Sequence, residues 1–131
     1  MKCKNRREIM QADLSGDPEL LRVCLAILNY IYSQPKQNLQ HITFGELSRI
    51  ANLKNTQDVI PASRYLMGDR ASLLVPKFEF IEDDFIDDVT LNEVAEAKKT
   101  DVFYHPIKGE LVEDFESKLF MYFTINPEIQ I

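Results

Sequence analysis

Between residues 54 and 64 the chain carries Lys54, Asn55, Thr56, Gln57, Ser63 and Arg64, side chains of the types that reach bases and phosphates. Arginine matches the acceptor edge of guanine with two parallel hydrogen bonds, and asparagine or glutamine matches adenine. On this reading Thr56, Gln57, Ser63 and Arg64 face bases or phosphates, while Lys54, Arg70 and Lys77 hold the backbone. The same residue types also suit any solvated helix face. With so few cations one copy makes few phosphate contacts, so DNA binding calls for a homodimer, a partner subunit, or the basic residues Lys2, Lys4, Arg6 and Arg7.

A second group is acidic. Glu82, Asp83, Asp84, Asp87 and Asp88 place five carboxylates within the seven residues 82–88. Oxygen ligands at this density suit Ca²⁺ or Mg²⁺. The stretch lacks the glycine and the spaced distal glutamate of an EF-hand loop, so no metal site is expected. A solvated acidic loop is the plain reading. The sharper one is a docking patch for a basic protein partner, with Phe85 and Ile86 as apolar anchors between the acids.

The remaining reactive types are sparse. His41 and His105 are the only histidines, and neither has a second ligand at metal-binding spacing. Cys3 falls in the basic N-terminal stretch and Cys24 in an apolar helix pattern, which suggests no disulfide framework and fits a reducing cytoplasm. The four glycines are scattered at 16, 45, 68 and 109, so there is no glycine-rich phosphate loop. The chain reads as non-enzymatic, with no cofactor.

Whole-chain numbers set the frame for these groups. At 131 residues with 45% hydrophobic and 27% charged content, the chain has the composition of a globular protein large enough for its own core. No apolar run is long enough to span a bilayer, so no membrane partner is expected. The net charge of −6 is unevenly spread: residues 1–35 carry +1, residues 36–78 carry +3 and residues 79–131 carry −10. The acidity belongs to the C-terminal part, and the stretch bearing Lys54 and Arg64 is locally basic.

The elements that must position these groups follow from caps and periodicity. Asp17 as N-cap and Pro18 at the first helical position open a helix that is apolar on most sides and ends near Pro35. Thr43 and Glu46 form a capping box for the next helix, whose inner face is Phe44, Leu47, Ile50 and Ala51. After a turn at Asn52–Asn55, a third helix starts at Pro61, with Ala62, Tyr65 and Leu66 inward and Ser63, Arg64 and Asp69 outward. Residues 73–81 read as a strand and 82–88 as a loop. Thr90 and Glu93 cap a further helix, residues 101–112 read as a hairpin turning at Pro106–Gly109, Asp114 caps a short helix or turn, and residues 121–125 read as a final strand. The aromatic residues of this half, from Phe78 to Phe123, default to the core; any of them exposed beside the acidic loop would mark a protein interface.

Helix, capped helix, tight turn, helix and strand over residues 18–81 resemble the winged helix-turn-helix family, the best local match being "ELSRIANLKNTQDV". In it Leu47, Ile50 and Ala51 look like the packing face of the first helix of the pair, and Val59 or Ile60 like the anchor of the second. The resemblance implies that this second helix enters the major groove of double-stranded DNA. The expectation is therefore an α+β chain: a basic flexible tail over residues 1–15, then a single domain over 16–131. That domain comprises a winged-helix-like half (16–81) and an acidic helix–hairpin–strand half (82–131). Its expected role is a DNA-binding, transcription-regulator-like protein, or alternatively a winged-helix protein-interaction module that uses the acidic half.

Overall fold

The computed structural model describes residues 3–129 and has the mixed α+β class expected from the sequence. The described residues fall into two compact units. One runs up to Pro76 and resumes at Phe123; the other is Lys77–Tyr122. Both crossing points lie inside strands, β1 (Leu74–Glu82) and β3 (Leu119–Ile125). With β2 (Phe85–Val89) these form a three-stranded sheet in the order β2-β1-β3. Lys77–Tyr122 holds five lysines against thirteen Asp and Glu, a net charge of −8, which leaves +2 for the rest.

The first unit is helical. Helix α1 (Cys3–Asp13) packs on α2 (Pro18–Ser33), which in turn packs on α3 (Phe44–Ile50) and α4 (Ile60–Met67). Helix α2 begins as its sequence requires, with Asp17 Oδ1 accepting from the Leu20 amide at 3.1 Å. Its buried face is Val23, Cys24, Ile27, Leu28 and Ile31. Thr43 caps α3, its hydroxyl accepting from the Glu46 amide at 3.1 Å. The far end of the chain completes this unit. Ile42 and Phe123 exchange backbone hydrogen bonds of 2.8 and 2.7 Å, and the Phe44 ring meets Phe123 edge-on at 5.0 Å.

The segment expected to be a flexible basic tail is helix α1 from Cys3 to Asp13, and one of its cations points inward. Arg6 is 2% exposed. Its guanidinium donates to the carbonyls of Ala71 and Ser72 at 3.0 Å each and to the Tyr32 hydroxyl at 2.7 Å. Ser72 adopts a left-handed conformation (φ 48°), so the turn after α4 aims carbonyls at a cation instead of continuing a ladder. Asn126 holds the same turn, its side-chain amide reaching Ser72 O and Oγ at 3.0 and 2.9 Å. Lys2, which belonged to the same expectation, lies outside the described residues.

In the second unit, β1 and β2 form an antiparallel hairpin pairing Phe78 with Val89 through to Glu82 with Phe85. The expected loop at 82–88 is thus mostly strand, with only Asp83 and Asp84 at the turn. Asp83 takes the left-handed conformation (φ 52°) that aspartate tolerates better than most residues. Pairing of β1 with β2 starts two residues after Pro76, so the proline removes no ladder bond on that edge. Helix α5 (Leu91–Thr100) opens with a complete capping box between Thr90 and Glu93. Its inner residues Val94 and Ala97 meet Phe80, Val89, Phe103, Val112 and Phe115 in the core of this unit. Phe80 and Phe103 lie 5.2 Å apart, and Phe103 stacks on Phe115 at 5.8 Å. The expected hairpin at 101–112 keeps its turn but no strand ladder: a single bridge joins Tyr104 to Leu111. Among the described residues no helix is long and apolar enough to cross a membrane.

Candidate functional site

The helix-turn-helix stretch is built as follows. Helix α3 stops at Asn52, which is left-handed (φ 58°), and the Leu53 amide turns back to Ser48 O at 2.8 Å. A 3₁₀ turn at Thr56–Val59 leads directly into α4, with Ser48 Oγ donating to Thr56 O at 3.3 Å. Pro61 sits in the first turn of α4, where an amide has no intrahelical acceptor anyway. The helix thus begins one residue before the expected start and follows helical structure instead of an extended turn.

Lys54, Thr56, Gln57 and Arg64 are exposed together on this stretch. Ser63 is not with them. It is 1% exposed, and its hydroxyl donates to Ile60 O at 2.7 Å, because the buried stripe of α4 is Ala62, Ser63 and Leu66. Ser63 is therefore a core residue whose hydroxyl bonds back to the carbonyl three residues earlier in its own helix. Arg70 is also otherwise engaged. Its guanidinium forms two hydrogen bonds of 3.1 and 3.0 Å with the Asp13 carboxylate, which also accepts from the Tyr65 hydroxyl at 2.8 Å. Arg70 and Tyr65 hold the Asp13 carboxyl below its ordinary range, while burial and then Asp13 push the Tyr65 hydroxyl up. Lys77 is exposed, on β1 in the other unit. Of the seven expected DNA-contacting residues, four are exposed on the helix-turn-helix stretch, and Asp58 is exposed there too.

The acidic group does not converge either. Strand alternation sends successive side chains to opposite faces. Glu82 is paired with Lys118 at 2.8 Å, which holds its carboxyl below the usual range. Asp83 and Asp84 project from the hairpin turn, Asp87 lies opposite Phe80, and Asp88 accepts from the Tyr122 hydroxyl at 3.1 Å. Among the described residues no three His, Cys, Asp or Glu side chains are placed to share a metal ion. The two apolar anchors separate: Ile86 is 62% exposed, whereas Phe85 turns inward to meet the His105 ring, tilted, at 4.6 Å and Phe80 edge-on at 6.2 Å. Phe85 is part of the core's margin, not a surface anchor.

His105 and Cys24 have structural surroundings. His105 is buried, and its Nδ1 accepts from the amides of Ile107 and Lys108 at 3.1 Å each, closing the turn after Pro106. Cys24 is fully buried in α2, where desolvation, with a smaller contribution from Asp17, pushes its thiol up to about 12. A thiol held so far from its thiolate is a poor nucleophile.

What sequence reasoning missed is an apolar surface. Among the described residues, seven of the eight large apolar side chains that are exposed belong to Lys77–Tyr122. Ile107 is 74%, Tyr104 62% and Leu111 59% exposed, all on the turn-bearing loop after α5. Tyr104 and Phe120 depart from the core assignment given to the other aromatics. Tyr104 lies between buried Phe103 and His105, so alternation puts it on the outer phase; Phe120 shares its strand face with buried Tyr122, and alternation alone does not mark it as exposed. Beside this loop a groove of about 330 Å³ is floored by Val112 and Phe115 and rimmed by Asp101, Glu113, Asp114 and Glu116. No protein-family model, curated protein or solved structure matches this chain.

Proposed function

We propose that the chain is a non-enzymatic protein-interaction module, with a winged-helix-like helical unit as scaffold and Lys77–Tyr122 as the docking part. One observation carries this reading. The unit with a net charge of −8 also holds nearly all the exposed large apolar side chains of the described residues, so apolar anchors stand inside an acidic field. Contiguous exposed apolar surface rimmed by polar groups marks a binding face. The carboxylates around it select a basic protein partner and repel phosphates. The order α2, α3, α4 and then the β1–β2 hairpin supports the winged-helix-like assignment. The thiols of Cys3 and Cys24 are free, which suits the cytoplasm.

A photo-crosslinking residue at position 107 tests this in the chain's native cells, with the same residue at position 64 as comparison. Adducts with a basic protein from position 107, absent from position 64, are the expected result. Adducts from position 64 alone overturn the reading.

A second reading, binding of double-stranded DNA, is favoured by the shared exposure of Lys54, Thr56, Gln57 and Arg64 at the helix-turn-helix. It predicts duplex binding that weakens steeply with salt and is lost in the Gln57→Ala, Arg64→Ala double variant. Fluorescence anisotropy of a labelled duplex at low salt decides it, since attraction to phosphates is strongest there. No binding under that condition removes this reading.

A further inference from the structure

We propose that the groove beside the loop after α5 takes a lysine or arginine side chain of a partner segment whose neighbouring residues are apolar; this rests on the interaction-module reading above. The argument begins with how the groove is made. Helix α5 ends at Asp101 in a left-handed conformation (φ 59°), and the chain turns away at once. The Val112 amide bonds back to Phe103 O at 2.8 Å, fixing the returning strand of the loop. Asp114, again left-handed (φ 54°), then starts the 3₁₀ turn Phe115–Lys118. Between these two turns a cleft of about 330 Å³ remains open. That volume is at the small end of ligand clefts and suits one long side chain, not a folded surface.

The chemistry of the lining selects the occupant. Val112 and Phe115 form a buried apolar floor, and Val102 and Leu111 form an exposed apolar lip. Such a surface covers the methylene stem of a lysine or arginine, whose charged end stays at the rim. There it meets Asp101, Glu113, Asp114 and Glu116, all exposed. Asp114 is oriented by the Ser117 hydroxyl, which donates to its Oδ2 at 2.9 Å. The nearby cation Lys118 is committed to Glu82 at 2.8 Å. Four carboxylates around an apolar floor disfavour an anion or a neutral acyl chain and favour a cation with an aliphatic stem. Tyr104, bridged to Leu111, is exposed beside this lip and offers contact to apolar residues flanking that cation.

The test is an NMR titration of the intact, ¹⁵N-labelled chain with blocked tetrapeptides. The probe is Leu-Lys-Leu-Arg; Gly-Lys-Gly-Arg carries the charge alone and Leu-Glu-Leu-Glu reverses it. The expected result is shifts at the amides of Val102, Leu111, Val112 and Phe115 with the first peptide only. The Glu113→Gln, Glu116→Gln double variant weakens binding by roughly two- to tenfold, because exposed ion pairs contribute modestly. Leu111→Ser abolishes the shifts with charge unchanged; since both variants alter exposed side chains, amide dispersion equal to the parent's verifies their folding. Equal shifts from the glycine peptide, or shifts unaffected by Leu111→Ser, reduce the groove to a diffuse acidic field and overturn the proposal. A silent titration alongside crosslinks from position 107 overturns the groove and leaves the interaction-module reading standing.

Discussion

Arg6 donates from its guanidinium to the hydroxyl of Tyr32 across 2.7 Å, and through its other nitrogens to Ala71 O and Ser72 O at 3.0 Å. A buried cation is tolerated when hydrogen bonds replace its hydration. Replacing it strands polar groups in the core, so Arg6→Met is expected to cost about 3 kcal/mol. Arg6→Lys should recover only part, because an ammonium cannot reproduce the planar fork. Urea midpoints of the three proteins check this; a midpoint for Arg6→Met within error of the parent would remove the clamp from the account.

The Asp13–Tyr65–Arg70 group gives stability a dependence on pH at both ends. Asp13 titrates lower in the folded protein than its ordinary 3.8, so its contribution is full above that value and lost as pH falls through the lowered one. Tyr65 titrates higher than its ordinary 10.0, so its contribution is full below that value and lost as pH rises through the raised one. Asp13→Asn should flatten the acid arm of a Tm–pH profile. It should shrink the alkaline arm without erasing it, since burial is the larger cause of the Tyr65 shift. An unchanged acid arm would contradict the assignment.

Thiol labelling separates the two cysteines. Cys24 is fully buried with its thiol pushed up to about 12, whereas Cys3 is partly exposed on α1. Iodoacetamide at mildly alkaline pH should modify Cys3 and spare Cys24 until urea unfolds the chain. Mass spectrometry of the labelled peptides reads this directly. Fast native labelling of Cys24 would reopen a chemical role for it.

His105 should tolerate one exchange and not another. His105→Phe leaves the Ile107 and Lys108 amides without their acceptor and is expected to cost about 1–3 kcal/mol. His105→Asn supplies a side-chain oxygen that closes the same turn, and it loses only the ring packing on Phe80 and Phe85. The order of stability, parent above Asn above Phe, is the outcome to measure by thermal denaturation. Equal losses for both variants would mean that packing, not the turn, is what His105 supplies.

Legibility followed the physical range of each signal. The starts of α2, α3 and α5 were readable because a cap is a local event: Asp17, Thr43 and Thr90 each accept from an amide three residues on. The strand ends at 74–82 and 119–125 were approachable from their apolar content. Helix α1 was not, because the one charge that makes it structural is paid for by Tyr32, Ala71 and Ser72, far away in sequence. Nor was β2, since acids rank low in strand propensity and only pairing with β1 holds them extended. The burial of Ser63 and the ion pair of Arg70 were illegible for related reasons. Ala62 and Leu66 define an inner stripe that can widen toward Ser63 or toward Tyr65, and only packing selects Ser63, while Asp13 lies too far back to be foreseen as Arg70's partner.

The return of the chain at Phe123 has a consequence for the order of synthesis. Ile42 finds its backbone partner, and Ser72 its asparagine, only after all of Lys77–Tyr122 has been made. On the ribosome the later-made acidic unit therefore has its whole sequence before the earlier-made helical one does. The face that Phe123 covers stays open to solvent until β3 has been made and arrives to close it.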